Sequence, residues 1–321
     1  MTGGPPTRPH HGATPADSVP GMVRWRSGTV TAVRRRWAGA TELDVDLPGG
    51  GRMRALAYPA LVGDPEPGDR VLLNAGALLM GLGTGGMPVV TADLHSALPA
   101  ILAGVHADAP DARVAYLLTD GGALPAWFSR TLAGLAGRLA GTVSVGQAFG
   151  GDLEASTLHS GLLAARHVLG ADVVIVAQGP GNLGTGTRWG FSGVAVGEAV
   201  NAVATLGGRP VGSLRISDAD PRPRHRGVSH HSLTAYGRVA LAPAELIVPE
   251  GLDAALAAEV AAALAPLAAR HRIVTVPTEG LDAALRDSPV GLSTMGRGLD
   301  GDHAYFLAAA AAGRHAARLL G

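Results

Sequence analysis

The pattern of apolar and polar positions divides the chain in two. Up to Ala92, four short segments alternate apolar with polar residues between turns: Ser27–Val33, Glu42–Leu47, Met53–Tyr58 and Arg70–Asn74. The alternation in Thr41–Leu47 has the period of a half-buried strand, and Pro48-Gly-Gly-Gly51 has the composition of a hairpin turn. These segments predict a small antiparallel β-barrel over residues 22–92.

From Asp93 onward the pattern changes. Nearly continuous apolar runs at 113–119, 142–149, 172–178, 210–217 and 272–276 alternate with helical spacing at 93–107, 124–140, 153–169, 194–206 and 252–271. In the third helical stretch Leu158, Leu162, Ala165 and Leu169 fall on one stripe, and Gly170 stands where a helix C-cap belongs. Strands apolar on both faces, alternating with helices, predict a mostly parallel, doubly wound α/β domain over residues 93–321. The tract Thr234–Val248, broken by Pro243, reads as an added edge hairpin.

Composition narrows the function classes. Basic and acidic residues number 26 each in 321, so no global field draws in nucleic acid, which is not an expected partner. The barrel carries Arg24, Arg26 and Arg34–Arg36 beside Trp25 and Trp37, which would permit nucleic-acid contact. Acidic residues on the next segment favour a solvated face instead. Every basic residue is arginine, and cysteine is absent. Lysine-based Schiff-base and P-loop chemistry is therefore excluded, as are disulfides, thiolate nucleophiles and cysteine-ligated metals. No run reaches the ~18 apolar residues of a membrane span. Residues 1–21 are rich in proline and glycine and read as a disordered tail, with His10 and His11 solvated. A cytoplasmic protein without a membrane partner is expected, with its oligomeric state open.

Ligands of an open parallel sheet gather beyond the carboxyl ends of its strands. Asp120 follows the first apolar run of the α/β domain. The third is followed by Gly179, Gly181, Asn182, Gly184, Thr185, Gly186, Thr187, Arg188 and Ser192, a glycine-rich loop that opens a helix. Glycines admit close backbone approach, and the hydroxyls and arginine add donors, so the loop reads as a phosphate or carboxylate cradle or as a tight surface turn.

The fourth run is followed by a dense cluster, Arg215 to His231. Arg222 and Arg224 would clamp an anion, with Asp218, Asp220, His225, His230 or His231 moving protons. Asp218, Asp220, His230 and His231 also form a donor set for a divalent metal, zinc or manganese. The arginines weigh toward the anion, and a loop of mutually paired arginines and aspartates is the structural alternative. Among the remaining histidines, His95, His106, His159, His167, His271 and His315 read as packed or solvated. His303 follows Asp302 in a glycine-rich loop at 293–306 that could close over the same rim or cap the last helix.

Three stretches together mark a resemblance: Leu82-Gly-Thr-Gly-Gly86, Gln178 to Thr187 with Gly190-Phe-Ser192, and Ser217-Asp-Ala-Asp220 with Arg224 to His231. Across residues 22–321 the chain resembles a bacterial family defined as a domain of unknown function. That resemblance implies no activity and assigns no residue a role.

The expectation is an enzyme, hydrolase-like or transferase-like, acting on a small anionic molecule held between the two loops. A non-catalytic metabolite- or nucleotide-binding regulator is the alternative. Nucleic-acid binding through the barrel is the third reading.

Overall fold

The structure is a computed structural model that describes residues 25–37, 40–57, 63–74, 87–92, 95–122, 125–126, 129–181, 183–185 and 187–321. The chain forms two units, residues 1–79 and 80–321. The expected tail and the Gly81–Gly86 loop lie outside the described residues.

In the first unit, β1 (Trp25–Trp37), β2 (Ala40–Asp46), β3 (Arg52–Ala57) and β4 (Arg70–Asn74) pair antiparallel in the order β3-β2-β1-β4. The sheet is curled into a half-barrel, with β3 and β4 as its edges. Register shifts at Val30/Ala32 and Val33/Arg35 bend the long strand β1. Val30, Leu43, Val45 and Ala57 form a small buried core, and Gly49 and Gly50 turn the β2–β3 hairpin at φ 95° and 86°. Left-handed φ of this kind is why the turn is built of glycine.

The second unit begins with β5 (Pro88–Ala92), α1 (Leu98–Asp108), β6 (Val114–Thr119), α2 (Arg130–Gly134), β7 (Gly141–Val145), β8 (Leu153–Ala155), α3 (Leu158–His167) and β9 (Val173–Gln178). After these come α4 (Ala195–Thr205), β10 (Arg209–Ser213), the short pair β11 (Ile216–Ser217) and β12 (Gly227–Val228), and α5 (His230–Thr234), which continues as a π-helical turn, Ala235–Val239. The unit closes with β13 (Glu245–Pro249), α6 (Ala254–Leu264), β14 (Arg272–Val276), α7 (Leu281–Arg286) and α8 (His303–Arg318).

Eight strands form one sheet in the order β14-β13-β10-β5-β9-β6-β7-β8, and its pairings are parallel. Strand β5 lies in its middle. A division after residue 92 therefore falls one strand late; five half-apolar residues carry too little pattern to announce an inner strand. Strands β6 and β9 are buried almost throughout, as their unbroken apolar runs require.

The chain runs from β5 outward through β6, β7 and β8, then returns to β9 and continues the other way through β10, β13 and β14. With right-handed crossovers, opposite directions place helices on opposite faces. The core shows it: the α1 residues Leu98, Ile101 and Val105 share a cluster with Ile175 and Ile247, whereas Val196 and Val200 of α4 share one with Leu246. Strand β9 thus sends its chain to the face opposite its neighbours β5 and β6. Such a reversal opens a crevice above the strand ends.

Three expectations need correction. Leu153–Ala155 is an edge strand, because a reciprocal capping box between Thr157 and Ser160 starts α3 only at Leu158. Within 124–140 the described helix is Arg130–Gly134, capped by Ser129 and stopped before Gly137 at φ 80°. Thr234–Val239 is helical, and β13 is an inner parallel strand, not part of an edge hairpin. The β-branched and aromatic residues there are overridden by tertiary packing: Tyr236 is buried, and the Asn201 side chain accepts from the backbone N–H of Leu241 and Ala242.

Candidate functional site

The glycine-rich loop leaves β9 at Gln178, whose side chain is buried. Its first glycines serve close packing. A Cβ on Gly121 would lie 2.6 Å from the Gly181 carbonyl oxygen and 2.8 Å from that of Gly179, so the loops after β6 and β9 meet backbone to backbone. Further on, the loop folds into a small hairpin through a bridge between Gly184 and Phe191. Thr185 N–H donates to Gly190 O at 2.6 Å, and Ser192 N–H to Leu183 O at 2.8 Å. The hydroxyls of Thr185 and Thr187 bond each other at 2.7 Å, and that of Ser192 donates to the Gln178 side-chain oxygen. These groups brace the loop, while Arg188 stands exposed at its tip. Asn182 and Gly186 lie outside the described residues.

The second loop follows β10 and is organised by one carboxylate. Asp220 is buried and accepts from three guanidinium groups: Arg222 at 2.8 and 2.9 Å, and Arg215 and Arg297 at 3.2 Å each. Hydrogen bonding from the Arg222 guanidinium holds its carboxyl well below the usual carboxylate range. Arg297 also donates to Asp302 at 2.8 and 3.0 Å, and Asp302 accepts from the Ser217 hydroxyl at 2.8 and 3.0 Å. Ser217 Oγ in turn accepts from the N–H of Ala219 and Asp220, a turn that buries Asp220 and leaves Asp218 exposed. Arg222 is thus engaged inside the network; Arg224 is exposed, as is Asp120 beyond β6.

The histidines converge on the other side of this loop. His225 is buried, and its Nδ1 bonds the Ser229 hydroxyl at 2.8 Å. Ser229 also caps α5 by accepting from the N–H of His231 at 3.2 Å. One nitrogen from each of His225, His230 and His231 lies within 4.8 Å of the others. Burial, with the Arg215 and Arg222 charges behind it, pushes the His225 imidazole down to about 3, which keeps it neutral. Phe191 stacks on His231, ring centroids 3.9 Å apart and planes 3° from parallel, and meets His230 edge-on at 5.9 Å. The glycine-rich loop and the histidine loop therefore share one place. Asp218 and Asp220 do not join the histidine group.

A groove of about 760 Å³ begins there, with Arg188 and His230 in its wall. It follows the helical segment 230–239 toward Arg238 and Arg270, and its described lining holds no carboxylate. His230 and Arg238 are eight helical positions apart, roughly 12 Å. A cavity of about 610 Å³ also opens beside Arg113 and Val114. It lies at the amino end of β6, where a parallel sheet gathers no functional loops.

Several participants were not legible as such. Arg238 and Arg270 sit in segments read as part of an edge hairpin and as a helix, and nothing in their spacing marks them. Arg297 and Asp302 belong to the loop singled out for His303, which instead bonds Asp282 at 3.0 Å on the surface. His95, at the end of β5, bonds the Tyr116 hydroxyl at 2.9 Å and the Ser129 hydroxyl at 2.6 Å.

The fold and this rim define a two-unit protein with a curled β-sheet and a doubly wound α/β unit that carries a histidine cluster and a cationic groove. Residues 54–92 and 86–313 match the family described as Protein of unknown function (DUF3866), and the chain belongs to that family. No curated protein matches it.

Proposed function

We propose that the chain is a hydrolase-like or transferase-like enzyme whose substrate is a small anionic molecule, phosphorylated or carboxylated, bound at the His230 end of the groove. One observation carries this reading: Arg188, Arg238 and Arg270 line a groove without a described carboxylate, and His230, one of three clustered histidines, stands in its wall. Guanidinium groups pair bidentately with carboxylate and phosphate oxygens, and an imidazole in the wall can move a proton. Arg188 meets the reacting anion, while Arg238 and Arg270 receive whatever extends along the groove. In this reading Arg215, Arg222, Arg297, Asp220 and Asp302 position the loop and do not touch substrate.

The test is a thermal-shift panel of phosphate, phosphorylated metabolites and carboxylates, followed by turnover assays on the compounds that bind. At about a hundredfold above Kd a ligand stabilises the native state by roughly 2.7 kcal/mol. The expected result is stabilisation by phosphorylated or carboxylated compounds that Arg188→Ala with Arg238→Ala removes. Stabilisation kept in the double variant would sink the assignment. Binding without turnover across ester and phosphoester substrates would favour the non-catalytic regulator.

A further inference from the structure

The donor set at the groove's end has a chemistry of its own. Three imidazoles come together within 4.8 Å and no carboxylate belongs to the group. Their rings touch, with centroid separations of 4.9 Å for His225 with His230, 4.9 Å for His225 with His231 and 4.4 Å for His230 with His231. Three imidazoles packed this closely offer their ring nitrogens to one small volume, a donor set of the kind that holds a divalent cation.

The distances suit a tetrahedral ion after small movements. Two nitrogens each about 2.1 Å from such an ion stand about 3.4 Å apart, so atoms within 4.8 Å need to close by at most about 1.4 Å. The His225–Ser229 bond adds support: with Nδ1 held by the hydroxyl, Nε2 is the nitrogen left to bind. The nearby arginines do not bar a cation, because Asp220 and Asp302 take up two of the three charges of Arg215, Arg222 and Arg297.

We propose that His225, His230 and His231 bind one zinc-class divalent ion at the head of the groove. Three imidazoles without an oxygen donor favour zinc, cobalt, nickel or copper over manganese or magnesium, which prefer carboxylate and water. This narrows the metal expected from sequence and replaces Asp218 and Asp220 by His225 among its ligands. With three protein ligands, a fourth position stays open for water or an anion, as in hydrolytic zinc sites. The inference deepens the reading of the groove as a substrate site, and its test reads metal directly.

The experiment titrates chelator-stripped protein with zinc by calorimetry and with cobalt(II) by visible absorption. One ion per chain is expected, with the intense cobalt bands of a four-coordinate nitrogen site. In His230→Ala, and separately in His225→Asn, affinity falls by more than about a hundredfold, since losing a ligand costs more than losing its support. Ser229→Ala weakens binding by about 10- to 100-fold. His10→Ala with His11→Ala leaves the stoichiometry at one.

Circular dichroism and the thermal denaturation midpoint, both measured in chelator, show whether each variant is folded. No stoichiometric zinc, weak octahedral cobalt bands, or a stoichiometry lost with His10 and His11 would overturn the site. Phosphate stabilisation that survives in chelator without any metal binding would remove the metal and leave the anion groove standing.

Discussion

Asp218 and Asp220 stand two positions apart in one motif and have opposite fates. The Asp220 side chain is fully buried, so removing its charge leaves the buried Arg215 without its carboxylate and takes a partner from the half-buried Arg222 and Arg297. Breaking a buried pair of this kind costs about 3–5 kcal/mol. Asp220→Asn is expected to lose that much in urea denaturation, while Asp218→Asn, at an exposed site, stays within about 0.5 kcal/mol. Equal effects would contradict the network. The motif's density of charge was legible in the sequence; which aspartate turns inward was not. That choice depends on a Ser217 turn and on Arg297 and Asp302, 77 and 85 residues further along the chain from the groups they bond. A second residue reports on burial. His95 has a normal pKa of 6.5, and desolvation pushes it down to about 4. The unfolded chain therefore takes up a proton more readily than the native one, so the stability tied to His95 is complete above pH 6.5 and drains away as pH falls toward 4. Unfolding free energy measured against pH is expected to fall across this window, with a shallower slope in His95→Asn; an unchanged slope would assign the loss elsewhere.

Among elements, the pairing of α1 with α8 depends on two glycines. A Cβ on Gly104 would fall on the backbone of Ala310, and one on Gly313 on the backbone of Ile101. Backbone cannot swing aside as a side chain can, so Gly104→Ala and Gly313→Ala should each cost about 1–3 kcal/mol by overpacking. Gly237, in the π-helical turn, offers a contrast: its nearest neighbour would be a Leu267 side-chain carbon at an ordinary 3.6 Å. Gly237→Ala should be neutral or stabilising, since alanine favours helix by about 0.8–1 kcal/mol. Thermal denaturation of the three variants checks this; a Gly313→Ala protein as stable as the parent would mean the helices lie further apart. At this scale the apolar runs announced β6, β7, β9, β10 and β14, most plainly β6 and β9, where burial on both faces leaves an unbroken signature. Strand β8, three residues long, is too short to stand out from its surroundings. Segment 234–239 was misleading because its strand-like residues serve a helical turn packed around the buried Tyr236.

For the molecule as a whole, the groups of the candidate site lie in residues 80–321. A fragment of that span is expected to bind phosphate with the affinity of the full chain; a large loss would show that the first unit contributes. Within the first unit, Arg34 meets Asp44 at 2.7 Å, Arg36 meets Asp64 at 2.7 Å and Arg52 meets Asp46 at 3.0 Å. Paired charges of this sort release few counterions, so the half-barrel should show little salt-dependent retention of single-stranded nucleic acid. The central claim is that the histidine cluster and the arginine-lined groove make one site. Its most direct measurement is an anomalous-difference map at the zinc edge from crystals soaked with zinc and phosphate. One peak bounded by His225, His230 and His231, with phosphate density between it and Arg188, is the predicted result. A peak elsewhere, or phosphate gathered away from the groove, would contradict it.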